Sequence, residues 1–95
     1  MPHKTIAKQL LISGKVQGVG FRQWMVRTAP LHNLDGWVRN LSDGRVEAVL
    51  TGIKEDVEAM IIVCYLGPAR AVVTHIDSKD YQRDVPRGFY QLADC

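Results

Sequence analysis

Residues suited to gripping an anion cluster in one stretch of this 95-residue chain, Gly14-Lys15-Val16-Gln17-Gly18-Val19-Gly20-Phe21-Arg22. Glycines at 14, 18 and 20 let a backbone curl tightly and approach a ligand, because no Cβ blocks positive φ. Peptide N–H groups in such a turn converge into an anion-binding concavity, and a helix start beyond it adds partial positive charge. Arg22 stands where a guanidinium can clamp a phosphate through two parallel hydrogen bonds. Together these features describe a phosphate cradle. A glycine-bearing turn with an incidental arginine fits the composition as well. The nucleotide fingerprints do not fit: there is no Gly-Lys-Ser/Thr run, and Gln23 stands where Gly-x-Gly-x-x-Gly needs its third glycine.

A second motif lies downstream, where Gly36-Trp37-Val38-Arg39-Asn40 is followed by Asp43-Gly44-Arg45-Val46-Glu47. In this order and spacing the two stretches resemble the paired signatures of the acylphosphatase family, and the resemblance runs from the first strand to Phe89-Tyr90-Gln91-Leu92. It implies a metal-free hydrolase, without cofactor, that splits the carboxyl–phosphate bond of acylphosphates into a carboxylate and inorganic phosphate. By position, Arg22 matches the family's phosphate-binding arginine and Asn40 its water-positioning asparagine. The backbone N–H groups of Gln17, Gly18, Val19, Gly20, Phe21 and Arg22 would then complete the phosphate site.

Elementary chemistry agrees with that assignment. An acylphosphate is a mixed anhydride with a good leaving group, and a loose phosphoryl-transfer transition state asks mainly for positioning and charge stabilisation. An arginine and a row of N–H donors supply the second, and an amide that both accepts and donates hydrogen bonds can supply the first. Asn40 is a poor base, so the water's proton is expected to pass to a phosphate oxygen of the substrate.

The elements that would position these groups can be read from periodicity. Residues 6–13 read as a strand with Leu10 and Ile12 on one face and Leu11 on the other. From Phe21 to about His32, Phe21, Trp24, Met25, Thr28 and Leu31 form a helical stripe, and Pro30 is expected to break or kink its last turn. Residues 34–41 read as a second strand, Ser42-Asp43-Gly44 as a hairpin turn, and 45–51 as a third strand ended by Gly52. A second helix over 54–66 would bury Val57, Met60, Ile61, Cys64 and Tyr65 and stop at Gly67-Pro68. A fourth strand at 71–77, a polar loop at 78–87 and a short fifth strand at 88–92 complete the chain.

That order predicts an α+β fold, a ferredoxin-like βαββαβ sandwich: an antiparallel sheet with two helices on one face and a short fifth strand at the C-terminus. Taken with the family resemblance, this order implies that the first and second strands run the same way with the third between them, so the loop after the first and the end of the second share one end of the sheet. One domain over 1–95 is expected, with residues 1–5 flexible.

Composition excludes several alternatives. No apolar run approaches the roughly 20 residues that span a bilayer, and the first residues show no small-residue cleavage pattern, so a cytoplasmic setting is expected. Cys64 and Cys95 have neither metal spacing nor a disulfide framework; Cys64 reads as a core residue and Cys95 as solvated. His3, His32 and His75 are scattered and read as surface or structural residues, not metal ligands. A net charge of +2 suits a small anionic substrate and is too weak to argue for nucleic acid. An RNA-binding reading also lacks its stacking aromatics, because 45–49 is Arg-Val-Glu-Ala-Val. A monomer is expected. Trp24 and Trp37 read as packing residues, and Lys15, Arg39 and Arg45 as a solvated basic rim. Beside the enzyme stands one alternative of another class, a non-catalytic anion-binding module.

Overall fold

In the computed structural model, residues 4–95 are described. The element order is β1 (Thr5–Lys15), α1 (Phe21–Thr28), β2 (Asp35–Asn40), β3 (Val46–Ile53), α2 (Lys54–Leu66), β4 (Val72–Asp80) and β5 (Phe89–Gln91), with a 3-10 turn at Ala29–His32. The five strands form one sheet in the order β4-β1-β3-β2-β5. This is the ferredoxin-like α+β arrangement.

β3 lies at the centre, and every residue from Val46 to Leu50 is buried. It pairs antiparallel with both β1 and β2, in a register that sets Ile12 and Asn40 opposite the same residue, Val46. Adjacent strands lie about 4.8 Å apart, so the ends of β1 and β2 sit roughly 10 Å apart on one rim of the sheet. Leu10 and Ile12 from β1, Val38 from β2 and Val46, Ala48 and Leu50 from β3 meet Phe21, Met25, Val57, Met60 and Cys64 from the helices in one core. Fully burying a side chain such as Phe21 contributes about 1.5–3 kcal/mol, and here it also anchors the first residue of α1.

Several boundaries differ from the sequence reading, each for a physical reason. The sheet is mixed rather than wholly antiparallel. After β4 the chain crosses to the opposite edge, where β5 runs parallel to β2. Residues 78–80 extend β4 instead of starting a loop, because they find partners on β1 at Leu10, Gln9 and Lys8. Gly52 does not end β3, since it pairs with Ile6. Leu31 is 81% exposed: the helix tightens into the 3-10 turn over Pro30, and three residues per turn shift the stripe out of phase. Tyr65 is 50% exposed; α2 buries Val57, Met60 and Cys64, a narrower stripe than expected. Lys4 and Thr5 are held, Lys4 by a hydrogen bond from the Lys54 N–H to its carbonyl (2.8 Å) and Thr5 by pairing with Ile53. Positions 1–3, including His3, lie outside the described residues.

Gly36 shows how closely β2 is fitted. Its φ is +146°, and a Cβ there would sit 1.8 Å from the Val49 carbonyl oxygen. Gly36→Ala is therefore expected to lower stability by about 2–6 kcal/mol, combining backbone strain with overpacking. A urea melt would show this as a lower midpoint at unchanged slope.

Candidate active site

The loop between β1 and α1 alternates buried and exposed positions. Val16, Val19 and Phe21 point into the core, whereas Gly18 and Gly20 are exposed. The valines pin the loop from beneath. Gly18 (φ +73°) and Gly20 (φ +79°) turn it through the left-handed region. A Cβ on either glycine would meet nothing within 4 Å, so glycine answers a demand of conformation and not of space. The first-turn N–H groups of a helix have no intrahelical partner, and at the start of α1 no side chain caps them. Bare donors at a helix start favour an anion.

Asn40 ends β2. Val38 faces the helices, and the two-residue period places Asn40 on the same side, under the start of α1. The hairpin beyond it is closed by the Leu41 N–H to the Arg45 carbonyl (2.8 Å) and the Gly44 N–H to the Leu41 carbonyl (3.2 Å). Asp43 accepts from the Arg45 N–H (3.1 Å) and Nε (2.9 Å), and the Arg45 side chain holds its carboxyl below the usual carboxylate range. Arg45 is thus committed to Asp43 rather than standing as a loose rim cation.

The two pieces enclose a cavity of about 190 Å³. Gln17, Gly18, Gly20, Phe21 and Arg22 line it from the loop and helix, Asn40 from β2, and Val16, Gln23 and Gln91 complete the wall. Pockets for drug-sized ligands run to about 300–1,000 Å³, so this is a small cleft. Arg22 is the one titratable side chain in the lining. Asn40 is only 8% exposed, and its Oδ1 is buried with no hydrogen-bond partner among the described residues. Leaving such a group unsatisfied costs about 1–3 kcal/mol, and buried polar atoms without partners mark strain, catalysis or a bound water.

The C-terminal residues extend β5 along β2. The Leu92 N–H bonds the Val38 carbonyl (2.8 Å) and the Cys95 N–H bonds the Asn40 carbonyl (3.0 Å). This zipper delivers Asp94 to Arg22, with 2.7 Å between Oδ1 and Nη1. Both partners are solvent-exposed in part, and such pairs are worth about 0–1 kcal/mol, so the contact is a weak one.

The structure is similar to an acylphosphatase from Coxiella burnetii, with a TM-score of 0.88 at 31% identity, covering 93% of each chain. In sequence, the acylphosphatase family profile matches residues 8–90. The chain belongs to the acylphosphatase family. An acylphosphatase from a Nostoc species is 46% identical over 94 residues, which cover 94% of this chain and 93% of that protein. One from Rhodopseudomonas palustris is 49% identical over 80 residues, 84% of this chain and 81% of that protein. This family member is accordingly a hydrolase. A full-length HypF in its phosphate- and nucleotide-bound form also contains a similar domain, with a TM-score of 0.86 at 28% identity over 99% of this chain and 13% of that one.

Of the residues singled out from sequence, Gln17, Gly18, Gly20, Phe21, Arg22 and Asn40 line the one cavity. Val19 is absent from that lining: its side chain lies in the core beneath, and its expected part in the site is its backbone N–H alone. Sequence reasoning missed Gln91 and Asp94, which reach the site only because β5 runs parallel beside β2. It also missed the side-chain work of Gln17, for which spacing gives no signal. Trp24 packs edge-on against Phe21, and Trp37 against Tyr81 with Arg39 over its ring. Arg39 is not a solvated rim residue: it bonds the buried Glu47 at 2.7 Å on the sheet face away from the helices. His75 lies on the surface beside Asp77. Among the described residues no group of His, Cys, Asp and Glu is placed to hold a metal, and no helix is long and apolar enough to cross a membrane.

The Asp43–Arg45 contact carries a pH signature. A depressed folded-state value means that its contribution is present above the unfolded carboxylate pKa and is lost as pH falls through the folded one. The Asp43 carboxyl is expected to titrate below the ordinary range by NMR, and Arg45→Ala should move it back towards that range without reaching it, because the residue-45 N–H still donates to it.

Proposed function

We propose that this hydrolase cleaves the carboxyl–phosphate bond of acylphosphates with the phosphoryl group held between the Gln17–Arg22 loop and the Arg22 guanidinium. Asn40 positions the attacking water. The observation that carries this reading is the meeting of Arg22 with Asn40 in one small cavity, where the Asn40 Oδ1 is uncommitted to any described residue.

The loop N–H groups and Arg22 stabilise charge on the equatorial oxygens as the bond to the acyl oxygen loosens. A guanidinium is in general a permanent cation, so such a grip needs no proton bookkeeping. Asn40 orients water in line with the departing carboxylate, and holding reactants in line is itself worth several kcal/mol of barrier. The lining holds no carboxylate or imidazole to act as a base. The water's proton therefore goes to a phosphoryl oxygen, and the carboxylate leaves without protonation. No step calls for a metal.

Steady-state hydrolysis of benzoyl phosphate, with and without chelator, tests the reading, and equal rates are expected. Arg22→Ala should lower kcat/KM by at least about 10²-fold, the scale of losing an oriented donor; full activity would remove Arg22 from the mechanism. Asn40→Ala should depress kcat far more than affinity for inorganic phosphate, and an equal loss in both would end its water-holding role. The similarity to a domain of HypF keeps a second reading in view, an anion-binding module without catalysis. Phosphate binding without turnover of any acylphosphate would favour that one.

A further inference from the structure

Gln17 lines the cavity, yet its side chain faces the hairpin. Its Nε2 donates to the Leu41 carbonyl at 2.8 Å and to the Arg45 carbonyl at 2.9 Å. A primary amide carries two hydrogens, so both are engaged and neither remains for a phosphate oxygen. The hairpin does not need these bonds to satisfy its backbone. The Arg45 carbonyl already accepts from the Leu41 N–H, and the Leu41 carbonyl from the Gly44 N–H. Gln17 is therefore a cross-link laid over a turn that closes by itself. Its two ends are the loop that carries Gly18, Gly20 and Arg22 and the residue directly after Asn40.

We propose that Gln17 is a positioning residue, whose side-chain amide sets the spacing between the phosphate loop and Asn40 by tying the loop to Leu41 and Arg45. The inference rests on the function proposed above. It assigns the Gln17 side chain no contact with substrate; only its backbone N–H belongs to the phosphate site. Phosphate is gripped within the loop and α1, where Val16, Val19 and Phe21 anchor the chain independently of Gln17. Water is held from β2, across the gap that the amide bridges. Loss of the bridge should leave the grip and spoil the alignment, and a misplacement of about 1 Å can cost 10²-fold in rate.

The test uses Gln17→Met, which keeps length and flexibility without donors, and Gln17→Ala should the methionine fail to fold. Each is made alone and together with Asn40→Ala, and assayed on benzoyl phosphate with inorganic phosphate as competitive inhibitor. The expected single-variant result is a kcat loss of at least about tenfold with the phosphate inhibition constant changed less than about threefold. In the Asn40→Ala background the same substitution should cause no further loss, because residues acting as a unit are non-additive. Unchanged kcat in the single variant would overturn the inference, and so would a full further loss in the double variant, or a parallel loss of phosphate affinity. Failure of the underlying reading looks different: Asn40→Ala alone would keep the parent kcat, and the inference would fall with it.

Discussion

The molecule depends on one registration: Val46 of the central strand is paired on one side with Ile12 and on the other with Asn40. Because β3 runs against both neighbours, β1 and β2 must point the same way, and whatever follows each of them emerges at the same rim. A slip of one residue in either ladder would turn every side chain of that strand to the opposite face. Asn40 would then leave the cavity for the face that holds Arg39 and Glu47. Burial of β3 on both faces makes such a slip costly, so the geometry of the candidate site is guaranteed by the core and not by the site.

Upon that frame the loop is built from small, separate devices. Valines at 16 and 19 hold it down, glycines at 18 and 20 open its backbone, and Gln17 ties it sideways. Burial of the valines does the energetic work, whereas the polar contacts choose among arrangements of similar energy. The ion pair of Arg22 with Asp94 belongs to neither group. It is partly solvated, screened by salt and weak, which under the proposed function lets Arg22 release it for a phosphoryl group. The tighter polar cluster, Arg39 and Gln9 on the buried Glu47, sits across the sheet, away from the cavity.

Much of this was legible in the chain. Alternation in β1 and β3 and the helical stripes gave the element order, and that order, taken with the family resemblance, gave the rim on which Arg22 and Asn40 meet. What periodicity could not show were the consequences of phase and of chain return. Leu31 looks like a core residue until the 3-10 turn over Pro30 rotates it outward, and Tyr65 until α2 buries a narrower face. The parallel pairing of β5 depends on where a polar connection crosses, and no residue in 81–88 announces that. Asp94 and Gln91 were therefore invisible as neighbours of Arg22 and Asn40. The side chain of Gln17 was hidden for another reason: a glutamine that bonds backbone carbonyls leaves no pattern in spacing.

The make-up of the cavity wall also limits what chemistry the proposed function can include. Its lining offers one permanent cation, three glutamines, an asparagine, bare backbone and hydrocarbon, and none of these donates a proton to a leaving group at neutral pH. A carboxylate departs unaided, since its conjugate acid has a pKa of about 4. An alkoxide, a far stronger base close to hydroxide, would need the general acid that the wall lacks. Under the proposed function, a restriction to mixed anhydrides would follow from what the wall omits as much as from what it holds. The small volume acts in the same direction, being nearer to that of a phosphoryl group and a water than to that of a drug-sized ligand. Selectivity in such a site resides in the bond that breaks, and the frame around Val46 needs only to hold an arginine and an amide at the correct separation for that bond.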